Sequence, residues 1–221
     1  MLTLLFALLT PPGAWLPVPA LSDDFNPIPL AIVGPHGTTV IMKDVLDFDK
    51  WNTFDRTGAG WFMPSNVKIQ NGLLNLLARK TAAVESKTSQ LYGYFEARMQ
   101  TAGVSSFWLS ANDGAHWSII NIAEFDAGNP RADNLGVRLL NDPTVAEFGI
   151  PFVWTAPVPL NAGYHTYGLD WEADTIRWYV DGAEVWEQPN TNWHTAMTVN
   201  FDCTGLFNSI LKVDWVRVWT H

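Results

Sequence analysis

The 221-residue chain has a single cysteine, Cys203. No intrachain disulfide can form, so the core alone must hold the fold, and the thiol reads as a small buried hydrophobe. Basic residues are scarce: 13 Lys and Arg stand against 22 Asp and Glu, for a formal net charge of −9. That balance repels nucleic acid, and no basic run offsets it. It equally disfavours a heavily sulfated polysaccharide and leaves neutral partners as the expectation. Long apolar runs are missing as well. Leu2 to Leu9 is too short to span a bilayer, so no membrane partner is expected. The five histidines show no His-x-x-x-His metal spacing. No stretch of ten residues carries a convincing helical period, and there is no internal repeat.

What remains is apolar, aromatic and rich in turns. The apolar fraction of 48% supplies a substantial core and excludes global disorder. Twelve tryptophans exceed what a core of this size usually needs. An indole is flat and amphipathic, so the surplus points to surfaces that stack on flat ligands. "NVKIQNGLLNLLARK" gives two strands around an Asn71-Gly72 turn. In "LYGYFEARMQ", Tyr92, Tyr94, Glu96 and Arg98 share one face, and Gly93, Phe95, Ala97 and Met99 the other. "HTYGLDWEADTIRWYVDGAEVWEQ" reads as strand, turn, strand, Asp181-Gly182 hairpin, strand. Trp178, Trp215 and Trp219 sit in alternating patterns that place them in the core. Residues 21–46 read as irregular or as peripheral strands. Many short strands between turns mean a single all-β sandwich or barrel.

Five strings occur in a fixed order: "QLYGYFEARMQ", "SFWLSANDG", "WSIINIAEF", "HTYGLDWEADTIRWYVDG" and "KVDWVRVW". Together, from about Phe48 to Trp219, they resemble glycoside hydrolase family 16, the laminarinase, lichenase, agarase and carrageenase group. "MTVNFDC" is closer to the galactan-degrading branch than to the glucanases. The resemblance implies a two-sheet antiparallel β-sandwich, the concanavalin A-like jelly roll, over residues 26–221. Residues 1–25 are set apart as a secretory leader or N-terminal extension, although no basic residue precedes the apolar run. Implied too are a secreted monomer, endo-acting hydrolysis of a β-linked polysaccharide, and no required cofactor.

The family's catalytic strand resembles Glu-x-Asp-x-x-Glu, with a tryptophan two residues ahead. Trp117 sets the register, which puts the nucleophile at Ile119, the helper aspartate at Asn121 and the acid/base at Glu124. One of three positions matches. A retaining glycosidase needs two carboxyl groups about 5–5.5 Å apart. The spacing of five from 119 to 124 would put the two residues on opposite faces of a regular strand. A β-bulge near Ile122 and Ala123 is therefore predicted, which returns Glu124 to the face of Asn121 and Ile119. Ile119 has no lone pair and cannot attack an anomeric carbon. Asn121 carries no charge. Glu124, with no carboxylate beside it in the strand, is expected to lack the like-charge contact that raises an acid's pKa.

The expectation is a cleft that binds glycan with impaired retaining hydrolysis. Three alternatives stay open: Glu124 as nucleophile with Asp126 as helper; Glu124 as acid with a base elsewhere, such as Asp113, at the wider inverting separation of about 6.5–9.5 Å; and a non-catalytic interaction domain. By resemblance, Trp108 and Trp117 line sugar subsites. His116, beside the catalytic strand, is expected to touch ligand, and Arg138 to bind a sugar hydroxyl or an anionic substituent; the resemblance also implies a structural calcium at Asp214.

Overall fold

The computed structural model describes residues 14–34, 37–54, 63–77, 81–112, 117–140, 148–204 and 209–221. Seventeen strands run through these residues, with no helix beyond two 3-10 turns. In chain order they are β1 (Leu16–Pro17), β2 (Ile28–Gly34), β3 (Gly37–Lys43), β4 (Trp51–Thr53), β5 (Val67–Gln70) and β6 (Leu73–Leu77). Then come β7 (Ala82–Gln90), β8 (Gly93–Ala102), β9 (Ser105–Asn112), β10 (Trp117–Phe125), β11 (Ala132–Leu140) and β12 (Phe148–Thr155). The last five are β13 (His165–Trp171), β14 (Thr175–Val180), β15 (Ala183–Pro189), β16 (Met197–Cys203) and β17 (Ile210–Thr220). No helix of the described residues is long and apolar enough to cross a membrane.

Two antiparallel sheets form the sandwich. One has the order β15-β14-β13-β8-β17-β6-β5, with β1 also on β17; the other runs β12-β11-β10-β9-β16-β7-β4. The hairpin β2–β3 makes a small sheet of its own, in keeping with the peripheral strands expected for residues 21–46. The two predicted hairpin turns form where sequence put them. Asn71 and Gly72 both have positive φ, 57° and 70°, and so do Asp181 and Gly182, 50° and 76°. That is the mirror-image turn whose twist matches the flanking strands.

Alternation decides the core. Phe95, Ala97 and Met99 of β8 are fully buried, and so are Phe107 and Leu109 of β9 and Val199, Phe201 and Cys203 of β16. Phe107 and Phe201 stack with ring centroids 4.7 Å apart. Trp178 and Trp219 are buried as predicted. Trp215 departs from prediction: it is only partly buried and lies under the Arg217 guanidinium, 4.3 Å from the ring centroid. The odd residue is explained by a register shift between Val213 and Trp215, which breaks the alternation.

The N-terminal boundary also needs correction. Leu16 and Pro17 pair with Thr220 and Trp219. Leu21 and Phe25 are core residues, 0% and 2% exposed. The stretch Leu16 to Phe25, set apart on sequence grounds with the leader-like segment, belongs to the sandwich; residues 1–13 lie outside the described set.

Candidate active site

Strand β10 lies third from the β12 edge of its sheet, between β11 and β9. Its pairing with β9 runs Trp117↔Asn112, Ile119↔Ser110, Asn121↔Trp108, then shifts, then Ala123↔Phe107 and Glu124↔Ser106. Ile122 is therefore the extra residue of a bulge, where one was predicted. Directly paired residues share a face, so Trp117, Ile119, Asn121 and Glu124 all belong to the face of Trp108, Ser106 and Ser110. The opposite face of β9, with Phe107 and Leu109, is the sandwich core.

A bulge disrupts the ladder, and buried backbone groups must find other partners. Side chains supply them here. The Trp178 indole donates to the Asn121 carbonyl at 2.8 Å. The Glu124 amide donates to Asp133 Oδ1 at 3.0 Å. The Asn134 side-chain amide donates to the Glu124 carbonyl at 3.0 Å. One core tryptophan and two residues of β11 thus clamp the strand on both sides of Ile122.

On the open face, Glu124 accepts from Asn121 Nδ2 at 2.6 Å and from Arg138 Nη2 at 3.2 Å. Arg138 stands opposite Ile119 on β11, and its side chain is about half exposed. Its guanidinium is thus directed to Glu124 as well as to solvent. Ile119 itself is only 8% exposed, and Asn121 6%. No lone pair is available at 119, as its identity dictates.

Beside this strand lies a cavity of about 460 Å³, bordered by Trp108, Trp117, Ser110, Glu85, Asn200 and Asp202 among others. The two indoles are neighbours, with ring centroids 6.3 Å apart and planes tilted by 57°. Among the cavity-lining residues described there are two acids, Glu85 and Asp202, and no Lys or Arg. Trp108 Nε1 donates to Asp202 Oδ2 at 2.9 Å.

Asp202 was not picked out by sequence reading. A signal was there: in "MTVNFDC" Thr198, Asn200 and Asp202 alternate with buried Val199, Phe201 and Cys203. Alternation alone does not say that the polar face lines a cleft. The position also corrects the view of Glu124 as a solitary carboxyl. Ser106 pairs with Glu124 on one side and with Asp202 on the other. The charge of Glu124 helps raise two carboxyl pKa values. Asp202 is pushed up to about 7, first by burial and then by Glu124, while hydrogen bonds from Trp108 and Ser106 act the other way. Asp133, wholly buried, is held well above the usual carboxylate range by desolvation, with Glu124 contributing.

The remaining predicted residues fare differently. Asp126 does not face the cleft pair; its Oδ1 accepts from the Gly128 and Asn129 amides at 2.6 and 3.0 Å and caps a turn beyond β10. That removes the support for Glu124 as nucleophile with Asp126 as helper. Asp113 and His116 fall outside the described residues. Asp214 is ion-paired with Arg98, and that guanidinium also lies 4.6 Å from the centre of the Tyr164 ring. A calcium ion at Asp214 would have to displace a fixed cation, so these residues do not fit the implied site. Among the described residues, the one cluster with metal-binding spacing is Asp170, Glu172 and His221. Arg177 already bridges both of its acids, at 3.6 and 3.7 Å.

Comparison with known proteins agrees with the architecture. The chain is 22% identical to the kappa-carrageenase of Pseudoalteromonas carrageenovora over 95% of its own length and 66% of that protein. It is 30% identical to a beta-glucanase of Acetivibrio thermocellus over 63% of its length and 46% of that protein. It therefore spans between about half and two thirds of these relatives. A crystal structure of the same kappa-carrageenase, in complex with an oligotetrasaccharide of kappa-carrageenan, matches with a TM-score of 0.75 at 21% identity, covering 98% of this chain and 99% of that one. The family model "Glycosyl hydrolases family 16" matches residues 55–212. With the sandwich, the bulged strand and this match together, the chain belongs to glycosyl hydrolases family 16.

Proposed function

We propose that this protein binds a β-linked polysaccharide in the cleft beside β10 and lacks the retaining double displacement. The observation that carries this reading is Ile119. It stands on the open face of β10, opposite Arg138 and Ser110, at the motif position from which a covalent glycosyl bond would form. A hydrocarbon side chain can neither attack nor hold a developing positive charge. Trp108 and Trp117 supply flat apolar surface for sugar rings. The acidic cavity lining, with a net charge of −9 for the chain, favours a neutral glycan over a sulfated one. The likeness to kappa-carrageenase is the argument on the other side. A polymer of this kind is met outside the cell, so secretion is part of the same proposal.

Affinity measurements with laminarin, lichenan, agarose, porphyran and kappa-carrageenan test the binding. Binding to at least one neutral polymer, weakened about 10-fold or more by Trp108→Ala, is expected. Failure of all five to bind would refute the reading. The chemistry has its own test. A mechanism-based 2-fluoroglycoside should leave no covalent adduct by mass spectrometry. The double change Ile119→Glu with Asn121→Asp should create one, because Glu124, the bulge and the clamp are already in place. An adduct on the unaltered chain would overturn the account of Ile119.

A further inference from the structure

The Trp108 indole is the flat surface offered to a sugar, and one contact fixes how it is offered. Trp108 pairs with Asn200 across β9 and β16, and Asp202 stands two residues further along β16. Such diagonal neighbours lie about 7–8 Å apart, within reach of a long side chain. The indole Nε1 donates to Asp202 Oδ2 at 2.9 Å. Ser106, directly opposite Asp202, also donates to the carboxyl. An indole has a single donor and no acceptor, so Asp202 fixes the setting of the ring. Trp117 borders it, with centroids 6.3 Å apart and a tilt of 57°. Trp108, Trp117 and Asp202 all line the same cavity. The group that orients the platform is therefore itself covered by whatever fills that cavity.

We infer that Asp202 positions Trp108 for glycan stacking, and that filling the cavity drives uptake of a proton by the Asp202 carboxyl. This rests on the reading that the cavity holds a β-linked polysaccharide. A stacked sugar displaces water from the open side of the carboxyl. The charged form is penalised by that loss far more than the neutral acid. The neutral acid keeps an oxygen for the indole and adds an O–H donor to a lining that already has Glu85 as an acceptor. The proton comes from solvent and forms only the carboxyl O–H bond; no bond of the glycan changes.

The surroundings favour the neutral form. Among the described residues that line the cavity there is no Lys or Arg. Asp202 pairs with Ala83 of β7 on one side and Ser106 of β9 on the other. Glu85, on the same face of β7, accepts from the Thr198 hydroxyl at 3.0 Å. Glu124 of β10 lies beyond β9, bonded to Asn121 and Arg138, and its charge acts on Asp202 in the same direction as burial. His194 precedes the cavity-lining Thr195, and its Nδ1 is paired with the Tyr92 hydroxyl at 2.8 Å. In the free protein the Asp202 carboxyl is already pushed up to about 7, with burial the first cause. A sugar that removes more water raises it further. Between the two values the complex holds a proton that the free protein has released. Affinity is then full below about pH 7 and falls as pH rises above it.

Titration calorimetry on the full chain, with whichever of the five polymers binds, tests this. A proton held about 10-fold more tightly in the complex lowers the affinity about 5-fold between about pH 5 and about pH 8. Near pH 8 the binding heat should also vary with the ionisation enthalpy of the buffer, the mark of proton uptake. Asp202→Asn keeps an acceptor for the indole and cannot ionise, so it should bind equally at both pH values with no buffer dependence. Asp202→Leu, checked for folding by circular dichroism, removes the acceptor and should weaken binding about 10-fold, much as Trp108→Ala does. Equal affinity at both pH values in the unaltered chain, affinity that rises with pH, a pH dependence that survives in Asp202→Asn, or undiminished binding by Asp202→Leu would each overturn the inference. The polymer still binds in all of these, and the reading of the cavity stands; failure of all five to bind removes both.

Discussion

At the scale of single residues, the cleft is organised by where its carboxyl groups lose water. Asp202 is pushed from 3.8 to about 7 chiefly by burial. Below pH 4 it is neutral in both the folded and unfolded chain. Between about 4 and 7 the folded chain keeps a proton that the unfolded chain has released, so stability falls as pH rises through that window and levels off above it. Asp202→Asn keeps an acceptor for the Trp108 indole and cannot ionise. Its melting temperature relative to the unaltered protein is therefore expected to be higher at pH 8 than at pH 4, by a few degrees, corresponding to about 1–3 kcal/mol. Calorimetric scans at the two pH values check this. A difference that does not change with pH would mean that Asp202 is ionised throughout. Ile119 is the contrasting case: its consequence follows from its identity alone, whatever surrounds it.

At the scale of elements, the bulge in β10 gives the site its geometry. Were Ile122 paired regularly instead of bulged, Glu124 would point into the core and Ala123 would take its place on the open face. The disturbed ladder is completed by Trp178, Asp133 and Asn134. Asp133→Ala would leave the buried Glu124 amide without its acceptor and should cost about 1–3 kcal/mol. That is a fall in melting temperature of about 2–4 °C per kcal/mol in a domain this size. Asp133→Asn keeps a carbonyl acceptor and should recover most of the loss. Because the Asp133 pKa is also raised, the Asn variant should lose less stability than the unaltered chain as pH rises above 4. Equal melting temperatures for the Ala and Asn variants would remove Asp133 from the clamp.

At the scale of the whole molecule, the first described segment closes on the last strand. β1 pairs with β17, Asp23 bridges to Val216, and the Trp51 indole donates to Asp23 Oδ2 at 2.9 Å. Leu21 is fully buried in the common core. Leu21→Ala should cost about 2–5 kcal/mol, as for other large-to-small core changes, with a matching fall in melting temperature. A change below about 0.5 kcal/mol would mean that the N-terminal segment is dispensable to the sandwich. The strands that bear the site, β9, β10 and β16, are central in their sheet, with neighbours on both sides. Their backbones are held by ladders on two edges, and the cleft face is correspondingly rigid.

Much of this was written in the chain. Turn chemistry at Asn71-Gly72 and Asp181-Gly182, alternation in β8, and the odd spacing between positions 119 and 124 each followed from short-range stereochemistry, and each set a hairpin, a face or a bulge. That position 119 offers no lone pair followed from the identity of Ile119 by itself. Local pattern could not supply the alliance of Glu124 with Asp202, 78 positions further along the chain, nor the engagement of Asp214 by Arg98. It also missed the burial of Leu21. Each of these depends on which strands become neighbours. Pairing between distant strands is settled by the packing of the whole core, and only that packing removes water from a particular carboxyl or brings a particular cation to it.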